Sequence, residues 1–152
     1  MIILGLDPGI GRTGFGVIDT SRQNVYVRCG CLTTPAHMDH ADRLELLGKE
    51  LAELIAIHQP DQSVVEEVFF GKNHKTAMQT AAARGVLLYI LRTHHIPISS
   101  LTPLQIKSRL TGYGTAPKEQ IQRVIQNQLH LDQMPQPDDA ADALAAALCY
   151  ST

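Results

Sequence analysis

At 152 residues the chain can bury one sizeable core but not two ordinary ones, so a single domain spanning 1–152 is expected. Its 44% hydrophobic and 18% charged residues exclude a disordered chain, and no apolar run is long enough to cross a bilayer. The net charge of −2 hides a basic middle: residues 1–70 carry 5 Lys/Arg against 10 Asp/Glu, residues 71–130 carry 8 against 1, and residues 131–152 carry 0 against 4. A basic block between acidic flanks fits either a solvated face or an enzyme that holds a metal beside a polyanion.

Met1 to Leu6 is apolar but short, lacks a basic leader and runs into Asp7-Pro8-Gly9, so it reads as a first strand and not a signal peptide, and a cytoplasmic location is expected. Thr13 to Asp19 and Val25 to Thr33 follow as two further strands, with connections short enough for an antiparallel meander. From Ala41 to His58, Leu44, Leu47, Leu51, Leu54 and Ile55 recur at helical spacing. Ser63 to Phe69 reads as a strand, Thr76 to His95 as an Ala-rich helix, Ile96 to Leu101 as a short strand and Pro103 to Leu110 as a brief helix. Pro117 opens another helix, and the last runs from Asp138 to Tyr150. This order indicates an α/β domain whose mixed sheet begins with three antiparallel strands and grows through helical crossovers. Cys29, Cys31 and Cys149 are odd in number and lack CxxC spacing, which argues against disulfides and a zinc site.

Three acidic positions carry candidate chemistry. Asp7 closes the first strand before a Gly-rich turn; an isolated Asp-Pro-Gly is more often a turn aspartate bonding its own backbone. The same string faintly resembles the phosphate loop of actin-like ATPases, but 152 residues leave no room for the second domain such enzymes use. Glu66 and Glu67 interrupt an apolar strand and must point to opposite faces, and alternation alone does not say which is functional. Asp139 and Asp142 lie three apart on the last helix and share a face, whereas Asp138 is adequately explained by capping. Carboxylates from a first strand, a fourth strand and a last helix can converge at one sheet edge. Such an oxygen-only site suits Mg²⁺ or Mn²⁺ and disfavours zinc.

With these residues assembled, the chain resembles the RuvC family of Holliday-junction resolvases along nearly its whole length. The matching segments are Ile3 to Gly9 with Gly14 to Val17, Glu66 to Phe70 with Lys72-Asn73 and Ala83 to Val86, Thr102-Pro103 with Lys107, Gly112 and Gly114 with Lys118, and Asp139 to Ala145. The resemblance implies a ribonuclease H-like fold with a mixed five-stranded sheet flanked by helices. It also implies a homodimer that resolves four-way junctions by paired nicks, using two Mg²⁺ ions per site, with Mn²⁺ able to substitute. By position, Asp7, Glu66, Asp139 and Asp142 match the metal ligands, which breaks the tie with Glu67. Lys107 and Lys118 match lysines near the scissile phosphate, and Phe69 matches an aromatic that stacks on an unpaired base. Lys72, Asn73, Lys75, Arg84 and Arg109 are assigned to backbone phosphates. A branch-migration complex of the RuvA and RuvB kind is implied as a partner. In the Ala-rich helix, Ala81, Ala82, Val86 and Ile90 suit a dimer face or, more often for any one of them, the core. Three departures from the family pattern stand out: Tyr150 where some relatives place a histidine, Thr80-Ala81-Ala82 in place of Leu-Gly-Gln, and the extra acid Asp138. Alternatives of other kinds are a catalytically silent junction binder and a nuclease of the same fold that acts on RNA.

Overall fold

The structure, a computed structural model, describes residues 1–21, 26–68 and 74–151, and at 74, 75 and 151 the backbone alone. Three strands, β1 (Ile2–Asp7), β2 (Arg12–Asp19) and β3 (Tyr26–Thr33), form the antiparallel meander. Helix α1 (His40–His58) leads to β4 (Gln62–Glu66), which pairs parallel with β1, and α2 (His74–Thr93) leads to β5 (Ile98–Leu101), parallel with β4. Three helices follow: α3 (Pro103–Thr111), α4 (Lys118–Leu129) and α5 (Asp138–Ser151). The sheet order is β3-β2-β1-β4-β5, the five-stranded mixed sheet expected.

Alternation along each strand builds two cores. Leu4, Leu6, Phe15, Val17 and Val65 face α1 and α2, where Leu47, Leu51, Leu87 and Leu91 cover them. Ile3, Ile18 and Val64 face the other way, onto α5, with Ile106 of α3 and Ile121 and Ile125 of α4 outside it. The core side of α2 is Ala83, Leu87 and Leu91, while Val86 and Ile90 pack at Gly48 of α1 and Ala81 is exposed. Among the described residues no helix is long and apolar enough to cross a membrane.

Two strands are shorter than their sequence suggests. β4 ends at Glu66, not Phe69, because its partner β5 ends opposite it at Leu101, and the chain then turns at Thr102 into α3. Glu67 N–H makes one last bond to the Leu101 carbonyl at 2.9 Å. β5 starts at Ile98 and not Ile96, since His95 takes a left-handed φ of 58° and Pro97 has no amide to give. Helix α3 begins with a full capping box: Thr102 accepts from Gln105 N–H, and the Gln105 side chain accepts from Thr102 N–H.

Candidate active site

Asp7 ends β1 on the face that carries Ile3 and Gly5, so its side chain points toward α5. The turn after it is tied by two threonines. Thr13, fully buried, donates to the Gly9 carbonyl at 2.7 Å and accepts from Gly9 N–H, and Thr34 donates to the Ile10 carbonyl. The parallel register pairs Gly5 with Val64 and Leu6 with Val65, which sets Glu66 beside Asp7 one step further along. Neighbouring strands lie about 4.8 Å apart, so the two carboxylates share one patch of the sheet. Glu67 falls on the opposite face, lining a small pocket with Val68, Ala81 and Arg84 on the α2 side.

The other two carboxylates arrive on α5, and glycines bring them close. A Cβ on Gly5 would lie 2.0 Å from the Ala143 carbonyl, one on Gly14 would lie 1.9 Å from the Asp139 carbonyl, and one on Gly16 would lie 2.7 Å from Leu144 N. Gly5 pairs with Gly16, and Gly14 pairs with Asp7. The three thus form a bare window in β1 and β2 onto which the alanines of α5 press backbone to backbone. Asp139 and Asp142, in the first turn and a half of that helix, are thereby held over the end of β1.

Crowding of like charges out of water marks the patch. Burial, and then the charges of Glu66, Asp142 and Asp139, push Asp7 up to about 8. Glu66 rises to about 7, mainly from burial and the Asp142 charge, with Lys107 opposing. Asp142 is also raised, by burial first, against the pull of Lys118. Three carboxylates that resist ionising together are a donor set that a hard divalent cation relieves, and all their donors are oxygens. Among the described residues, no three acidic, histidine or cysteine side chains stand close enough to ligate one ion as they are. Asp139 is turned away to Arg12, whose Nη1 lies 3.2 Å from its Oδ2. The residues fit the ion in chemistry and placement, and side-chain rotation is what would gather them.

Glu66 and Asp142 share a cleft of about 260 Å³ with Lys107 and Lys118, and Ile106, Ile121 and Ile125 give it apolar lining. Both predicted lysines are therefore at the site. Lys118 Nζ sits 2.6 Å from Asp138 Oδ2, so Asp138, the first residue of α5, serves as a lysine partner where capping sufficed to explain it from sequence. Arg84 lies behind the site: its Nε donates to the Glu66 carbonyl at 3.2 Å and its Nη2 to Ser100 Oγ at 2.8 Å, bracing the end of β4. Arg109 lies at the far end of α5, where Nη1 donates to the Cys149 carbonyl. Phe69, Lys72 and Asn73, and the side chain of Lys75, fall outside the described residues.

Sequence reasoning passed over Arg12 and the glycine window. The window had a signal, three glycines spaced at even steps across two strands that face one another, opposite a helix rich in alanine. Arg12 had none, because its partner is 127 residues away.

A sequence profile described as "Crossover junction endodeoxyribonuclease RuvC" matches residues 3–150. Proteins of the same description from Pelotomaculum thermopropionicum and Roseiflexus sp. are 41% and 46% identical to the chain, covering 99% and 97% of it and 93% and 89% of their own lengths. The solved structure of Thermus thermophilus RuvC in complex with Holliday junction substrate superposes with a TM-score of 0.92 at 28% identity, over 99% of this chain and 93% of that one. A yeast mitochondrial Holliday junction resolvase, Ydc2, shares the fold at a TM-score of 0.69 and 13% identity, over 97% of this chain and 78% of that one. With its ribonuclease H-like five-stranded sheet and a sequence profile that matches nearly its whole length, the chain belongs to the RuvC family of crossover junction endodeoxyribonucleases.

Proposed function

We propose that this chain resolves four-way (Holliday) DNA junctions by paired, symmetric nicks in recombination and repair, with magnesium held by Asp7, Glu66, Asp139 and Asp142. The observation that carries this reading is the patch of desolvated, mutually repelling carboxylates, two of which line one cleft together with two lysines. The junction-bound Thermus relative supports the choice of substrate.

The chemistry supplied by bound magnesium, two ions per site with manganese able to substitute, is acidification of a water and neutralisation of charge on the attacked phosphate and the leaving oxygen. Asp7, Glu66, Asp139 and Asp142 are the residues that would hold the metal. Because Asp7 and Glu66 keep protons near neutrality in the metal-free protein, loading the site releases protons and strengthens as pH rises. Lys107 and Lys118, which line the same cleft as Glu66 and Asp142, hold the scissile phosphate, and the isoleucines of its lining limit competing bulk water. Water attacks phosphorus in line, without a covalent intermediate, leaving a 5′-phosphate and a 3′-hydroxyl that a ligase can seal.

Paired nicks need two sites, and a homodimer supplies them. Met78 and Tyr89 of α2 are 69% and 67% exposed, and Gly85 on the same face has open space above it, which supports that face as the contact between copies. By positional match to the family, Phe69 stacks on an unpaired base and Lys72, Asn73 and Lys75 meet backbone phosphates. Arg84 and Arg109 reach phosphate only with the guanidinium donors that their structural bonds leave over. A branch-migration complex of the RuvA/RuvB kind is the protein partner that family membership implies.

The test is to incubate the protein and Asp7→Asn with a synthetic four-way junction, a matched duplex and an RNA–DNA hybrid, in Mg²⁺ or EDTA. Paired, ligatable nicks in the junction alone, only with Mg²⁺ and only by the unmutated protein, are expected. Junction binding without cutting would replace this reading with a silent binder, and cutting of the hybrid would replace the substrate.

A further inference from the structure

Arg12 opens β2 on the same face as Gly14 and Gly16, beside the start of α5. Its bond to Asp139 is a single contact at 3.2 Å between side chains 52% and 36% exposed. Exposed pairs of this kind are weak, so a competing cation readily takes the guanidinium's place. The Asp139 backbone cannot follow Arg12 elsewhere, because Gly14 and the Asp139 carbonyl pin it to the sheet. Rotation of the two side chains is what separates them, and it frees the Asp139 carboxylate, whose charge already acts on Asp7 and Asp142.

We propose that Arg12 is an exchangeable internal counter-ion: it holds Asp139 in the metal-free protein, is released when Asp139 turns to a divalent cation, and then takes a DNA phosphate. This rests on the metal site proposed above. The guanidinium cannot make both ionic contacts through the same edge, so metal loading and the grip on DNA are coupled through it. By reciprocity, DNA that draws Arg12 away favours metal binding by the same factor. Arg12 is therefore a positioning residue, acting on the metal through Asp139.

Two measurements on the full chain test this. Free Mn²⁺ is first titrated by electron paramagnetic resonance against the unmutated protein, Arg12→Gln and Asp7→Asn, without DNA. Arg12→Gln is expected to bind Mn²⁺ about two- to five-fold tighter, the gain from removing a competing exposed pair. Junction affinity is then followed against salt in EDTA and in Ca²⁺, with strand integrity checked on a denaturing gel. In the unmutated protein the log–log salt slope should steepen by about 0.9, one phosphate contact, on adding Ca²⁺, and in Arg12→Gln it should not. A charge that merely attracted DNA would lower the variant's slope equally with and without metal, which would overturn the proposal, as would unchanged or weaker Mn²⁺ binding by Arg12→Gln. If the unmutated protein binds no Mn²⁺ that Asp7→Asn loses, the metal site itself is wrong and the exchange falls with it.

Discussion

Asp7→Asn should make the metal-free protein more stable while abolishing its function. An acid whose proton affinity rises on folding binds more protons folded than unfolded, so stability falls as pH climbs from the unfolded value to the folded one. For Asp7 those bounds are 3.8 and about 8. At about 1.4 kcal/mol per pH unit, the gap costs on the order of 4 kcal/mol at pH 7, where the unfolded chain is ionised and the folded one is held protonated. Asparagine removes that cost but buries an amide in the same place, and setting about half the gain against this leaves roughly 2 kcal/mol. For a domain of this size that is a melting temperature about 5 °C higher. The assay is thermal unfolding in EDTA from pH 4 to pH 8, followed by circular dichroism. The unmutated protein should lose stability across the window, the variant should be flatter, and the curves should cross at about pH 5, leaving the variant the less stable of the two near pH 4, where only its buried amide still costs. Adding Mg²⁺ at pH 8 should raise the melting temperature of the unmutated protein alone. A variant that melts at or below the unmutated protein at pH 8 in EDTA would refute the claim that crowded, desolvated carboxylates define this site.

Gly14→Ala puts a Cβ 1.9 Å from the Asp139 carbonyl, so α5 must lift at its acidic end; a loss of about 1–3 kcal/mol by urea unfolding and a larger loss of cleavage than of junction binding are expected. Asp138→Asn removes the carboxylate 2.6 Å from Lys118, and junction affinity in EDTA, read by fluorescence anisotropy, should rise about two- to five-fold; a fall would mean that Asp138 holds the lysine where DNA needs it. Arg84→Ala loses the bonds to the Glu66 carbonyl and Ser100, so single-turnover cleavage should slow even at saturating junction, and the salt slope should fall by about 0.9 for the phosphate that its remaining donors reach; an unchanged slope would show that Arg84 only braces β4.

Much of this was legible in the chain. Helical spacing marked α1 and α5, β-branched runs marked the strands, and spacing of three put Asp139 and Asp142 on one face, because these patterns are local and survive without a fold. That Glu66 and Glu67 oppose each other was equally local. Which of them enters the site was not, since it depends on the β1–β4 register and on α5 lying on that side of the sheet. The length of β4 was likewise set by its partner, which ends opposite Glu66. The placement of Asp139 and Asp142 over the end of β1 rests on Gly5, Gly14 and Gly16, whose even spacing is visible in the chain but whose shared face against α5 follows only from the β1–β2 register. The Arg12–Asp139 and Lys118–Asp138 pairs join residues 127 and 20 positions apart, and the raised proton affinities of Asp7 and Glu66 come from burial and neighbours that exist only after folding. Sequence alone determined which residues are candidates for the chemistry, because residue type and short-range spacing are written in it. Tertiary structure decided which carboxylates meet, how strongly they repel and which cations hold them apart, because those are properties of distance and solvent exclusion.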